Sequence, residues 1–349
     1  MKIGITTVYK AENCGSFLQA WALSKTLSKM GHEPYFLKYN NSFKAKYKKA
    51  EGFVKCCLRL RFKRAKGILN KTHVFKNLRK MLKVTNIGNS EIEMYVFGSD
   101  TIWNFDDEFF NTKAAFFTGL NVNKPCYGYS VSVGSTSEET FSKNQLAINA
   151  ISKFKKIAVR DEHSANVISK FYPQENIVRT VDPTMLMKKE DYINNFSLKN
   201  VPDKKYIAVY YFGVIPNRLW QNLKNFARNK NLEIINIGLF ENQYDYSLVP
   251  SPKNFISAFS NAEYVLTNTF HGCVFSALFN KNFATNGTHK KKVEEFLKQF
   301  SLDNRAIVDD DVEKVFTQTV NYEEINCIIE RERNKSLDYL NTVVFNEDK

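Results

Sequence analysis

Cysteine is sparse and unpatterned in this chain. The 6 present, Cys14, Cys56, Cys57, Cys126, Cys273 and Cys327, form no CxxC pair and no His/Cys spacing of a zinc site. Reduced thiols are therefore expected, with neither a disulfide framework nor a metal. The chain begins with a short apolar stretch, residues 2–8, that turns polar too soon for a signal-peptide core or a membrane span, so a cytoplasmic protein is expected. Neither GxGxxG nor GxxxxGK[ST] occurs, which leaves dinucleotide binding and P-loop chemistry without local support. Short-period repeats and low-complexity tracts are absent as well.

Acid is nearly missing from one stretch. Residues 44–83 hold 15 Lys or Arg against Glu51 alone, so this segment carries the whole net charge of +14 and the remainder is balanced. Apolar residues such as Phe53, Val54, Leu58, Leu60, Phe62, Leu69, Phe75 and Leu78 are interleaved at spacings that fit one or two amphipathic helices. Such helices can lie on an anionic membrane surface. A solvated helical insertion packed by its apolar stripe fits equally well. Nucleic acid is a third reading, but no RRM, KH, zinc-finger or helix-turn-helix signature accompanies the charge.

What is present suits a large α/β protein. A chain of 349 residues exceeds the size at which one core keeps growing, which favours two domains, and 43% apolar residues supply ordinary cores. Strand-like and helix-like segments alternate. Strands are expected at 2–8, 33–39, up to Phe97, 127–133, 156–159, 206–212, 232–237, 264–267 and 283–286. Helices are expected at about 15–30, 138–152, from Asp161, from Pro216, 272–279, from about Lys290, and 323–340. The boundaries read as an N-terminal α/β domain over 1–190 with its basic helical insertion, a linker, a C-terminal α/β domain over 205–322, and a final helix in 323–349 that can cross back.

Ligands of such sheets bind at the carboxyl ends of the strands. Four segments put polar groups there. Asn13 and Ser16 open the first helix, and Gly98-Ser99-Asp100 leads to Trp103 and Asn104, a carboxylate, an aromatic face and an amide as in sugar sites. Val159-Arg160-Asp161 places a guanidinium at a strand-to-helix turn. Asn268-Thr269-Phe270-His271-Gly272 sets an imidazole beside free helix amides, which favour an anion. Arg305 follows downstream. Each has a plainer reading: a capping histidine, a surface ion pair at Arg160, an N-cap at Asp100, a core tryptophan, and helix-start residues at Asn13, Gly15 and Ser16.

These segments together resemble the polysaccharide pyruvyl transferase family over about 290 residues. The family's N-x-G-A-x-L-Q-A-x-A-L is similar to Asn13, Gly15, Leu18, Gln19, Ala20, Ala22 and Leu23; its G-S-D-Q-x-W-N to Gly98, Ser99, Asp100, Trp103 and Asn104. A serine-glycine strand at Ser132 and Gly134, V-R-E/D at Val159, Arg160 and Asp161, D-P-T at Asp182, Pro183 and Thr184, and S-F-H-G-T at Thr269 to Cys273 follow in the same order. Cys273, Thr101 and Thr269 depart from the family's threonine, glutamine and serine but keep size or a hydroxyl.

The resemblance implies two Rossmann-like domains facing a cleft, GT-B-like, with the basic helical insertion in the N-terminal domain. It implies a transferase that takes phosphoenolpyruvate as co-substrate, without a cofactor, and forms a pyruvate ketal on a sugar of a cell-surface polysaccharide or its lipid-linked precursor, working in the cytoplasm or at the inner face of the membrane. His271 and Asp100 would then be catalytic; Arg160, Arg305, Gly272 and Thr269 would bind the donor; Asn13, Ser16, Trp103 and Asn104 would line the acceptor side. Two other functions stay open: a GT-B glycosyltransferase using a nucleotide sugar, and a non-catalytic protein that docks on membrane or nucleic acid through residues 44–83.

Overall fold

The computed structural model describes residues 1–40, 43–196 and 204–344, without the side chains of 43–46, 48, 343 and 344. Within these residues the chain forms two parallel sheets. The first joins β1 (Lys2–Thr6), β2 (Glu33–Leu37), β3 (Val84–Thr85), β4 (Met94–Phe97), β5 (Cys126–Val131), β6 (Lys156–Val159) and β7 (Ile177–Arg179) in the order β3-β2-β1-β4-β5-β6-β7. The second joins β8 (Tyr206–Tyr210), β9 (Glu233–Ile237), β10 (Tyr246–Leu248), β11 (Tyr264–Thr267) and β12 (Asn282–Thr285) in the order β10-β9-β8-β11-β12. In both, strand order reverses beside the first strand, where β1 lies between β2 and β4 and β8 between β9 and β11. That reversal parts the loops and leaves a crevice at the strands' carboxyl ends. The central strands β4, β5 and β8 are buried along their whole length, as parallel strands covered on both faces must be.

Several boundaries differ from the sequence reading. The helix expected at 138–152 is two, Glu138–Ser142 and Gln145–Ile151, because Asn144 breaks the first and caps the second by accepting from the Ala147 amide at 3.1 Å. The helix expected from Gly272 starts at Phe270, since Thr269 is its N-cap. Pro216 precedes its helix, Asn217–Asn229, rather than opening it. Three strands the sequence did not announce, β3, β7 and β10, are two or three residues long, too short for a periodic signal. The expected linker contains a one-turn helix, Pro183–Met185, and a helix, Lys189–Phe196; its residues 197–203 lie outside the described ones, as does 345–349 of the final segment.

The basic segment folds as α2 (Phe43–Leu58) and α3 (Phe62–Arg79), inserted between β2 and β3. Phe75 of α3 meets Phe17 of the first helix, α1 (Cys14–Lys29), ring centroids 6.4 Å apart. Aromatic contacts also join the two sheets' layers. Trp21 of α1 packs on Tyr192 at 5.7 Å, and Tyr192 on Phe275 at 4.9 Å. The helix Tyr322–Asp338 starts beside the second sheet, where the Tyr322 hydroxyl donates to the Lys281 carbonyl. Its far end lies against the first sheet: Arg333 donates to the Met185 carbonyl at 2.7 Å and Ser336 accepts from the Val181 amide at 3.0 Å.

Candidate active site

The carboxyl ends of the two sheets meet at Asp182. This residue follows β7, is buried, and caps the Pro183–Met185 turn through Oδ1, which accepts from the Thr184 amide at 3.0 Å and its hydroxyl at 2.7 Å. Its other oxygen, Oδ2, faces three donors: Arg160 at 3.3 Å, Ser99 Oγ at 3.4 Å and His271 Nε2 at 3.6 Å. Burial alone would raise the Asp182 pKa, but His271 and Arg160 outweigh it and hold the carboxyl well below the usual carboxylate range.

His271 reaches Asp182 because of how its helix starts. β11 ends at Thr267, Thr269 caps the helix, and His271 falls in the first turn, pointing out of the second sheet toward the first. The ring lies against the start of α1: a β-carbon on residue 15 would sit 2.2 Å from Nδ1, so only glycine fits there. Nε2 is buried with no hydrogen-bond partner inside bonding distance.

Arg160 emerges at the end of β6. Its guanidinium stands 4.6 Å over the Phe270 ring, and Nε is 3.7 Å from Asp161 Oδ2. Nε and one terminal nitrogen are buried without hydrogen bonds. Such orphaned donors in a native interior mark a place where a ligand or water completes the set. Beside them lies a small recess lined by Arg160, Asp161, Asp182, Phe270, Lys292 and Glu295. Lys292 comes from the helix Lys291–Gln299; burial and then the nearby Arg160 charge lower its pKa. Glu295, on the same helix, accepts from the Glu162 amide at 2.7 Å and the His163 amide at 3.3 Å, which fastens the second sheet's helix to the turn that carries Arg160. Two cations, Arg160 and Lys292, and three carboxylates, Asp161, Asp182 and Glu295, line one recess, and the unpartnered guanidinium nitrogens of Arg160 give it donors for an anion.

Asp100 closes the other side. It sits at φ 69 in the left-handed region, costly for a residue with a side chain, and is held there by a bridge to Val131. Oδ2 accepts from Ser16 Oγ at 2.8 Å, and Oδ1 from the Thr101 amide at 2.9 Å. Burial pushes its pKa up, but Arg160, His271 and Lys292 together bring it below the ordinary carboxylate value.

The fold thus brings His271, Arg160, Asp100 and Ser16 together, with Asn13 supporting them as the N-cap that accepts from the Ser16 amide at 3.2 Å. It does not bring the rest of the expected set. Arg305 is fully buried elsewhere, donating to Asn282 Oδ1 at 3.0 Å at the opposite, amino end of β12, so it is no part of an anion clamp. Trp103 has no exposed surface and donates to the Phe117 carbonyl at 2.9 Å; it is core. Asn104 accepts from Thr136 Oγ1 at 3.0 Å and buttresses the loop at Gly134 instead of facing the cleft. Thr269 and the Gly272 amide bond each other at 3.0 Å, so neither is free for a ligand.

Lys292 and Ser99 were not singled out as site residues from the sequence, and Asp182 only as part of D-P-T. Lys292 is one of three consecutive lysines, Lys290 to Lys292, in a surface-like run, which hides it. Asp182 shows its trace as an acid just before a proline, at the end of a strand too short to detect.

Comparison with known proteins agrees with this arrangement. The solved structures it resembles include a putative UDP-N-acetylglucosamine 2-epimerase from Listeria monocytogenes, at TM-score 0.57 and 8% identity over 100% of this chain and 97% of that one. The UDP-GlcNAc 2-epimerase of Methanocaldococcus jannaschii follows at TM-score 0.54 and 11% identity over 99% of each chain, and S. aureus MnaA, solved with UDP, at TM-score 0.52 and 12% identity over 100% and 98%. At such identities the likeness shows the fold, two Rossmann-like domains facing a cleft in the GT-B manner. Among curated proteins a search finds no match. The model of the polysaccharide pyruvyl transferase family matches residues 13–285, a span that holds Ser16, Asp100, Arg160, Asp182 and His271 in one cleft, and the chain belongs to that family.

Proposed function

We propose that this transferase moves the enolpyruvyl carbons of phosphoenolpyruvate onto two hydroxyls of a sugar in a polysaccharide or its precursor. The observation that supports the reading is the buried Arg160 guanidinium with two unpartnered nitrogens, sharing a recess with the half-buried Lys292 next to His271. Phosphoenolpyruvate is a small anion with two charged ends, and a forked guanidinium beside an ammonium suits a carboxylate and a phosphate.

Catalysis then requires a proton on the methylene carbon. In this reading His271 gives it, and delivery turns that carbon into a methyl group and leaves an oxocarbenium-like centre beside it. A sugar hydroxyl attacks this centre while Asp100 accepts its proton, forming the first C–O bond. A second hydroxyl displaces inorganic phosphate, breaking the C–O bond to it and giving its own proton to the now neutral His271, which completes the ketal and restores the acid. General acid-base help of this kind contributes about 100- to 10,000-fold. Asp182 is a positioning residue that orients His271 and Arg160 together.

The test is thermal stabilisation followed by turnover. Phosphoenolpyruvate should raise the melting temperature of the wild type and fail to do so for Arg160→Ala, because a ligand that binds only the folded state stabilises it; phosphate release should then depend on an added sugar acceptor. Stabilisation by UDP-sugars instead, the ligand class named in the similar UDP-GlcNAc 2-epimerases, would move the protein to nucleotide-sugar chemistry.

A further inference from the structure

The insertion between β2 and β3 turns part of its apolar surface outward. On α2, Tyr47, Ala50, Val54 and Leu58 are exposed and recur at intervals of three or four residues, so they form one stripe along the helix. The stripe runs into the turn to α3, where Leu58 is 79% exposed, Leu60 74% and Phe62 63%. Arg59, Arg61 and Lys63 alternate with them and are exposed too. Leu60 itself is at φ 52, which fixes a tight turn with alternating apolar and basic side chains at its tip. The face of α3 next to it continues the pattern with Lys66, Leu69, Lys76 and Lys80, all exposed.

The hairpin is firmly mounted. Ala65, Phe75 and Leu78 are buried beneath it, and Lys49 pairs with Glu12 at 2.5 Å. Arg64 pairs with Glu241 of the second domain at 2.6 Å, and Gly67 lies where a β-carbon would be 3.3 Å from Leu239. The outward side chains therefore belong to a rigid ridge spanning both domains beside the cleft, and their exposure is a property of the fold.

We infer that this ridge docks on an anionic lipid bilayer. The charge selects a polyanion, since residues 44–83 carry the chain's entire net +14. The apolar tip selects among polyanions: Leu58, Leu60, Phe62 and the α2 stripe gain nothing from a nucleic-acid backbone but can enter the headgroup-acyl boundary. Among the described residues no helix is long and apolar enough to cross a membrane, so the contact is peripheral. Docking would hold the cleft edge at the lipid surface, whatever reaction the cleft performs.

The experiment uses the full chain and vesicles of phosphatidylcholine with or without phosphatidylglycerol, in a sedimentation assay without substrate. Binding to the phosphatidylglycerol vesicles should be about tenfold tighter or more than to phosphatidylcholine alone, and should weaken as salt screens the charges. L58S/L60S/F62S should lower that binding by roughly tenfold or more while keeping the wild-type melting temperature, since all three side chains are exposed. Failure of the wild type to bind phosphatidylglycerol vesicles at low salt would overturn the inference. So would a triple variant that binds as well as wild type, or lipid binding matched by duplex RNA and insensitive to the variant. Pyruvyl transfer to a soluble acceptor is read separately, so loss of either result leaves the other standing.

Discussion

The ring of His271 occupies the space that a β-carbon on Gly15 would fill, 2.2 Å from Nδ1. A helix start in one domain and the turn that carries His271 in the other are thereby fitted to each other. Gly15→Ala should be harmless to α1 itself, because alanine is the better helix former by about 1 kcal/mol. The added methyl must instead push the imidazole off Asp182. The expected outcome is a fall in kcat of about 100-fold or more, together with some loss of melting temperature, because the new carbon would also lie 2.8 Å from the His271 β-carbon. Activity near wild type in this variant would show that the ring does not work from its present position.

Asp182→Asn removes a carboxylate that faces both Arg160 and His271. Depriving the buried Arg160 charge of this partner costs up to about 3–5 kcal/mol, so chemical denaturation should show a loss of stability at neutral pH. The sign of the pH effect follows from the shift. The folded-state pKa of Asp182 is depressed below its ordinary 3.8, so its stabilisation is complete above that value and is lost as pH falls below it. Acid unfolding curves of wild type and Asp182→Asn should therefore converge below about pH 4. Curves that stay parallel through that window would argue against the charge as the source.

The architecture was legible because parallel sheets write themselves as apolar runs separated by helical periods, and the long strands and helices are where the sequence put them. Likewise Arg160, Asp100 and His271 stand at strand ends, where the topology alone directs attention. Arg305 shows the opposite case. An arginine after a helix looks the same in sequence whether it clamps a ligand or props Asn282, and only the end of β12 on which it sits distinguishes them. Trp103 likewise shares a motif with Asp100 yet belongs to the core, where its ring is fully buried and donates to the Phe117 carbonyl. Lys292 was invisible for a different reason: its place in the recess depends on the helix Lys291–Gln299 packing beside Arg160, 132 residues away in sequence.

Lys292 and Arg160 should separate in their pH dependence. Burial and the Arg160 charge lower the Lys292 pKa from 10.5, so the free enzyme loses this ammonium at lower pH than an ordinary lysine would. Anion binding needs the charged form. Affinity for phosphoenolpyruvate should fall as pH rises, starting below pH 10.5, and Lys292→Gln should bind more weakly with that dependence removed. Arg160→Lys keeps a charge but loses the fork and the stack on Phe270, and should weaken binding by roughly 10- to 100-fold. Isothermal titration across pH would show it; a Lys292→Gln profile that still follows the wild type would remove Lys292 from the anion site.

Arg305→Leu tests the reassignment of that residue from ligand clamp to scaffold. The side chain is fully buried and donates to Asn282 at 3.0 Å, to Asn304 at 3.0 Å and to Gln318 at 3.3 Å. Leucine would leave the half-buried Asn282 and Gln318 acceptors without these donors, each costing up to about 1–3 kcal/mol, while the exposed Asn304 loses little. The melting temperature should drop, while the fraction that remains folded keeps the wild-type KM for phosphoenolpyruvate, because the lost bonds lie at the amino end of β12 and the recess at the carboxyl ends of the strands. A raised KM with an unchanged melting temperature would restore Arg305 to the donor site, and with it the reading that sequence order alone suggests.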